Sequence, residues 1–253
     1  MTIKTAIYET DVQGDFALYN QLFKGALFVR GNDKETPQPF GAEARLPNVY
    51  AIHKHANENK WLIAGSVDRH FYEDAELIRN KGGVFDDHCM NGTLGQLRLA
   101  GLEPQKDIYI RSKDGPQLGP KIYTQADLQN YINAAKDKGM HLIFEKQSYN
   151  VGTNKNFEPA FKKLIEQGLE NVIIDGFATD YCVLAAGLKM ADIRAEYQAD
   201  IGIYVVTDAI KGVNINFDGE KDPEFSKKAL DEMKDRGIIP IKTKDVLEGR
   251  VAA

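Results

Sequence analysis

The chain has 253 residues, 43% of them hydrophobic, and a formal net charge of −5; this can fill one α/β core and forces no second, so 1–253 reads as a single domain. Its basic residues are scattered, which argues against a nucleic-acid or anionic-membrane partner and for a small molecule. No apolar run approaches the roughly 20 residues of a bilayer span, Glu9 and Asp11 come too soon for a signal peptide, and two cysteines make no disulfide framework, so the chain is expected in the reducing cytoplasm.

Thr5 to Glu9 predicts a first strand, with Asp11 to Phe16 at its C-terminal end, the edge where open α/β sheets bind ligands. Asp11 is there either a turn former with Gly14 and Asp15 or a general base for a thiol. Residues 18–40, broken by Gly25, Gly31, Pro37 and Pro39, predict a loop-rich excursion. A helix follows over 42–59, with Leu46, Val49, Tyr50 and His53 on one side and Pro47 near its start. His53 and His55 are two apart, cannot share a helix face, and read as solvated surface. Trp61 to Val67 predicts a second, buried strand. Asp68 and His70 emerge from its end, and in extended backbone they point the same way and can grip one cation. His88, after a loop, is a candidate third ligand; Cys89 beside it lacks a strand–turn–helix context and reads as structural.

Asp107 to Arg111 predicts a third strand, followed by an exposed loop over 112–123 that could influence substrate access. Thr124 and Asp127 fit a capping box for a helix to Lys138, closed by Gly139. His141 to Glu145 is a fourth strand, with Lys146 at its end, where a lysine ordinarily faces solvent. A helix over 157–167 turns Phe161, Leu164 and Ile165 inward. The apolar run Val172-Ile173-Ile174 leads through Gly176 into a segment where Val183, Ala186, Gly187 and Met190 recur at helical spacing. Cys182 then sits on a helix's first turn, among unpaired N–H groups that favour a thiolate and can hold an oxyanion. Its alternative role is that of a small buried hydrophobe. Ile201 to Val206 is another strand, ending at Thr207-Asp208-Ala209; Asp222-Pro223 opens a last helix to Arg236, stopped by Gly237. Residues 238–241 predict an edge strand, since Pro240 would break a central one. The alternation predicts an α/β fold, a mostly parallel sheet with helices on both faces.

Gly176 followed by Ala178-Thr179-Asp180-Tyr181-Cys182-Val183 resembles the nucleophile signature of the isochorismatase-like cysteine hydrolases, among which nicotinamidases form a metal-binding branch. Further segments resemble that family's motifs in its order: Asp11-Val12-Gln13-Gly14-Asp15-Phe16, then Asp68-Arg69-His70 with His88-Cys89 and Gly92-Thr93, then Lys146-Gln147-Ser148-Tyr149. The resemblance implies a three-layer sandwich with Asp11, Lys146 and Cys182 as catalytic acid–base, cation and nucleophile. It further implies Phe16 and Phe85 against a substrate ring, an oxyanion hole from the N–H groups of Ala178 and Cys182, and a cis peptide before Ala178. One divalent ion is implied on Asp68, His70 and His88. Three such ligands leave positions open, as catalytic sites do; zinc is favoured, with iron or manganese as alternatives, and Glu76 is left open as an additional ligand. Arg69, Asn150 and Lys189 depart from residues frequent in the family, and Phe85 stands where tryptophan is usual, which bears on substrate more than on chemistry.

The expected reaction is therefore hydrolysis of nicotinamide to nicotinate and ammonia through a thioester. Another small amide or ureide is the alternative substrate. Metal-hydroxide attack with Cys182 as bystander, and a non-catalytic binding protein on the same fold, are the other readings. A homo-oligomer is left open.

Overall fold

The structure, a computed structural model, describes residues 3–20 and 25–251; residues 21–24 of the predicted 18–40 loop lie outside the described residues. Among the described residues seven strands form, β1 Thr5–Thr10, β2 Leu62–Asp68, β3 Asp107–Ile110, β4 His141–Lys146, β5 Asn171–Phe177, β6 Gly202–Lys211 and β7 Ile239–Ile241. They make one sheet in the order β3-β4-β2-β1-β5-β6-β7, and every pairing is parallel. Because β1 lies between β2 and β5, the chain completes one side of it with β2, β3 and β4 before it builds the other with β5, β6 and β7. The crevice at the carboxyl ends of β1 and β5 is thus a topological switch point.

Period-two alternation assigns the side chains to faces. Ala6, Tyr8, Ala64, Leu142, Phe144, Val172 and Ile174 pack against α3 Gln125–Lys138, α4 Phe157–Glu166, α5 Leu184–Glu196 and α6 Phe225–Asp235 through Leu128, Ile132, Phe161, Leu164, Met190 and Met233. Ile7, Ile63, Ile173 and Val206 turn to the other face. There they meet Val49, Ile52 and Ala56 of α2 Leu46–Glu58 and Val246 of α7 Thr243–Leu247. A short helix not foreseen from sequence, α1 Gly14–Ala17, follows β1 and buries Phe16 and Ala17.

Local signals set several boundaries as expected. Thr124 Oγ1 accepts the Asp127 N–H at 3.1 Å while Asp127 accepts the Thr124 N–H at 3.0 Å, and Gly139 ends α3 at φ 63°. Pro47 falls in the first turn of α2, where its missing N–H is not needed. The helix predicted from Asp222-Pro223 starts later and is not the last, since α7 follows it: Asp222 instead accepts the N–H of Glu224 at 3.0 Å and of Phe225 at 3.0 Å, closing a turn ahead of α6. His53, expected in solvent, is 2% exposed. The helix lays it over β1, with Nδ1 2.7 Å from Glu9 Oε1. His55, by contrast, packs edge-on against Trp61, ring centroids 5.1 Å apart.

Candidate active site

Four strand ends that are neighbours in the sheet, those of β4, β2, β1 and β5, deliver Lys146, Asp68, Asp11 and the turn bearing Cys182. Gly176 at the end of β5 has φ 100°, and a Cβ there would lie 2.0 Å from the Thr10 carbonyl oxygen, so only glycine lets β5 run this close to β1. Asp11 itself sits at φ 49°. Its N–H donates to the Ser66 carbonyl at 3.0 Å, and the Ser66 hydroxyl donates to Asp11 Oδ1 at 2.8 Å. Lys146 Nζ lies 2.8 Å from Asp11 Oδ2, contacts Asp68 Oδ1, and is 3.7 Å from Cys182 Sγ. A lysine that composition alone would put in water is fully buried. Two carboxylates hold its charge in place.

Burial pushes the Asp11 carboxyl up, although Lys146 pulls it back. Burial also carries the Cys182 thiol well above its ordinary value, against the opposing pull of Lys146. Lys146 stays a cation because Asp11 and Asp68 outweigh its own desolvation. Burial thus favours the thiol form of Cys182 beside a raised carboxyl, the opposite direction to the pull of a helix N-terminus. The local geometry differs as well: Cys182 lies in a π-helical turn, Thr179–Val183, ahead of α5 rather than on an α-helix's first turn. In that turn the N–H groups of Tyr181 and Val183 both donate to the Ala178 carbonyl, at 3.2 and 3.0 Å. The Phe177–Ala178 peptide is cis.

Beside this cluster, Asp68, His70 and His88 bring a carboxylate oxygen and two ring nitrogens within 4.8 Å of one another, all buried. His88 Nε2 is 3.5 Å and His70 Nε2 3.8 Å from Asp68 Oδ2. The far nitrogens are anchored, His88 Nδ1 at 2.7 Å from the Asp86 carbonyl and His70 Nδ1 at 3.2 Å from Asp74 Oδ2. His70 Nε2 and Glu76 Oε2 are buried without a hydrogen-bond partner and face each other at 3.8 Å. Two orphaned atoms aimed inward, imidazoles fixed from behind and a carboxylate fit a borderline divalent cation. Glu76 Oε1, meanwhile, accepts the Tyr149 N–H at 2.9 Å. Burial and then Asp68 push Glu76 up to about 6. Burial disfavours charge on His70, but Asp68 and Asp74 prevail and raise it to about 9.

Gln13 positions this group: its amide accepts the Asp68 N–H at 2.7 Å and donates to the Asp68 carbonyl at 2.8 Å. Cys89, next to His88, is buried and its N–H donates to Asp15 Oδ2 at 2.8 Å. Burial keeps its thiol well up.

Both clusters open on a cavity of about 440 Å³ lined by Phe16, Phe85, Tyr149, Tyr181, Cys182 and Phe217 among others. Phe16 lies 5.3 Å from the His88 ring, and Phe85 5.2 Å from Tyr181. One wall comes from residues 213–219, with Leu27 and Val29 from the predicted 18–40 loop; residues 112–123 contribute nothing to the lining among the described residues. The wall is tied to the cysteine turn. Asp180 accepts the N–H groups of Val213 and Asn214 at 3.0 and 2.7 Å, and the Tyr181 hydroxyl donates to the Ile215 carbonyl at 2.7 Å. Ser66, Gln13, Phe217 and these tethers escaped sequence reading. Only Gln13, Asp180 and Tyr181 stand inside recognisable motifs, and nothing marks Ser66 or Phe217.

A pyrazinamidase from Pyrococcus horikoshii solved in complex with zinc is similar in fold, with 23% identity and TM-score 0.60 over 94% of this chain and 99% of that one. So is an Acinetobacter baumanii nicotinamidase/pyrazinamidase, with 18% identity and TM-score 0.63 over 97% and 99%. The N-carbamoylsarcosine amidase of Thermoplasma acidophilum is similar at 16% identity and TM-score 0.55 over 95% and 96%. No curated protein matches the sequence. The isochorismatase domain family model matches residues 5–245, nearly the whole chain, and the protein belongs to the isochorismatase family.

Proposed function

We propose that the chain is a single-domain, metal-dependent cysteine amidohydrolase of the cytoplasm that converts nicotinamide and water to nicotinate and ammonia. The observation that carries this reading is Lys146 Nζ placed 2.8 Å from Asp11 Oδ2 and 3.7 Å from the Sγ of Cys182, which lines an aromatic cavity. Asp11 takes the proton from the Cys182 thiol as sulfur bonds to the amide carbon, and Lys146 balances the paired negative charges. The N–H groups of Ala178 and Cys182 receive the oxyanion. When the intermediate collapses the C–N bond breaks, Asp11 protonates the departing nitrogen, and ammonia leaves a thioester. Asp11 then accepts a proton from the attacking water, the C–S bond breaks, and that proton returns to sulfur as the acid departs.

Phe16 and Phe85 flank the substrate ring. Asp68, His70 and His88 would hold a divalent ion, zinc before iron or manganese, and when bound it supplies Lewis acidity toward a ring nitrogen or water. A second reading, hydrolysis of a larger amide or ureide, is favoured by the cavity itself. About 440 Å³ falls in the range that holds drug-sized ligands, more than one pyridine ring requires.

The test is ammonia release from a panel of nicotinamide, pyrazinamide and linear ureides, before and after chelation. Nicotinamide turnover that chelator abolishes and zinc restores supports the first reading; turnover of ureides alone, or turnover indifferent to chelator, overturns it.

A further inference from the structure

Under α2, away from the cavity, a second group of side chains converges from three places in the chain. We infer that His53, Glu103 and His141 form a second site for a divalent transition-metal ion of the zinc class, separate from Asp68, His70 and His88. This inference does not rest on the hydrolase reading. One ligand atom from each lies within 4.8 Å of the other two, and the two imidazoles stand edge to face, centroids 5.3 Å apart.

The ring nitrogens that face away are both anchored on carboxylates. His53 Nδ1 is 2.7 Å from Glu9 Oε1 and His141 Nδ1 is 3.1 Å from Asp107 Oδ1. Arg98 in turn bridges those carboxylates, one guanidinium nitrogen on Glu9 and another on Asp107. An imidazole that donates Nδ1–H to a carboxylate turns the lone pair of Nε2 outward, the tautomer that metal-binding histidines use. Here both Nε2 atoms are buried with no hydrogen-bond partner, in residues 2% and 1% exposed. Glu103 Oε2 sits 3.8 Å from His53 Nε2 and accepts from Asn57 and Lys106 at 2.8 Å each. Its side chain is 37% exposed, which opens the group to solvent from one side.

The charges agree. Three carboxylates, Glu9, Glu103 and Asp107, face two fixed cations, Arg98 and Lys106, leaving one negative charge for a dication to meet when both imidazoles are neutral. Two imidazoles and a carboxylate with anchored outer partners suit zinc, cobalt or nickel over calcium or magnesium. The ion would join α2, the turn before β3 and the start of β4.

The test uses the full chain, stripped with chelator and titrated with zinc, with bound metal counted and with cobalt(II) as a spectroscopic probe. His88→Ala, which disables the other site, should retain one equivalent. Adding His141→Gln should remove it, and Glu103→Gln, on a partly exposed side chain, should weaken it at least about tenfold, the scale that outer-shell partners alone command. Zinc should also raise the melting temperature of His88→Ala but not of the double variant. A folded His88→Ala protein that binds no zinc, or a retained ion indifferent to both Glu103→Gln and His141→Gln, overturns the inference.

Discussion

Ser66 offers the sharpest probe of the acid–base pair, because its hydroxyl touches Asp11 and not the sulfur. Removing it by Ser66→Ala deletes the 2.8 Å hydrogen bond to Asp11 Oδ1 while the Lys146 contact at 2.8 Å remains. A hydrogen bond to a charged group contributes about 1.5–3 kcal/mol. The donor favours the ionised carboxylate, and about 1.4 kcal/mol corresponds to one pH unit, so its loss should raise the Asp11 pKa by about 1 to 2 units. The sign follows from the role. Asp11 must be ionised to accept the thiol proton, burial already holds its pKa above the ordinary carboxylate value, and kcat/KM therefore falls as pH drops through that raised value. The acid limb of the ammonia-release profile should then move upward by about 1 to 2 pH units, with the rate above the limb largely kept. The assay is kcat/KM for nicotinamide against pH in wild type and variant, with melting curves to verify folding. An acid limb that stays in place, in a folded variant, would refute Asp11 as the proton acceptor.

Cys182→Ala should lose essentially all ammonia release, whereas Cys89→Ala, buried and absent from the cavity lining, should keep most of it; appreciable turnover by Cys182→Ala would point to attack without a thioester. Asp175 is fully buried with neither carboxylate oxygen hydrogen-bonded, and burial followed by Glu9 raises it well above the ordinary range. A raised carboxyl stabilises the fold only while protonated, so its contribution is lost as pH rises from the unfolded value through the folded one. Asp175→Asn should then melt higher than wild type near neutral pH, with the gap closing in acid, and equal melting points at all pH would contradict this. Gly176→Ala places a methyl 2.0 Å from the Thr10 carbonyl oxygen at φ 100° and should destabilise by at least about 2 kcal/mol, read from urea unfolding; an unchanged midpoint would mean β5 can move away from β1.

Much of this molecule was legible in one dimension. Buried parallel strands announce themselves as short apolar runs, so β1, β2, β4 and β5 stood out, and Thr124, Asp127 and Gly139 marked both ends of α3 by chemistry that needs no distant partner. The residues proposed for catalysis and for the ion were legible for a different reason: motifs similar to a known family's put Asp68 and Lys146 at the last positions of β2 and β4, and Asp11 and Cys182 just beyond β1 and β5. The α6 start was misplaced because Asp222 closes a turn with Glu224 and Phe225 rather than opening a helix, and a proline signal does not distinguish the two.

What the sequence by itself determined was the alternation of elements and which residue types stand at strand ends, since both depend on neighbours within a few positions. The protonation and company of those residues were decided only by the tertiary structure. His53 looked like surface until Glu9, itself held by Arg98, met it under α2, and the pull toward a thiolate expected at Cys182 is opposed by burial, which pushes its thiol up against Lys146. Desolvation and charge pairing act across space between residues far apart in the chain, and no local pattern records them.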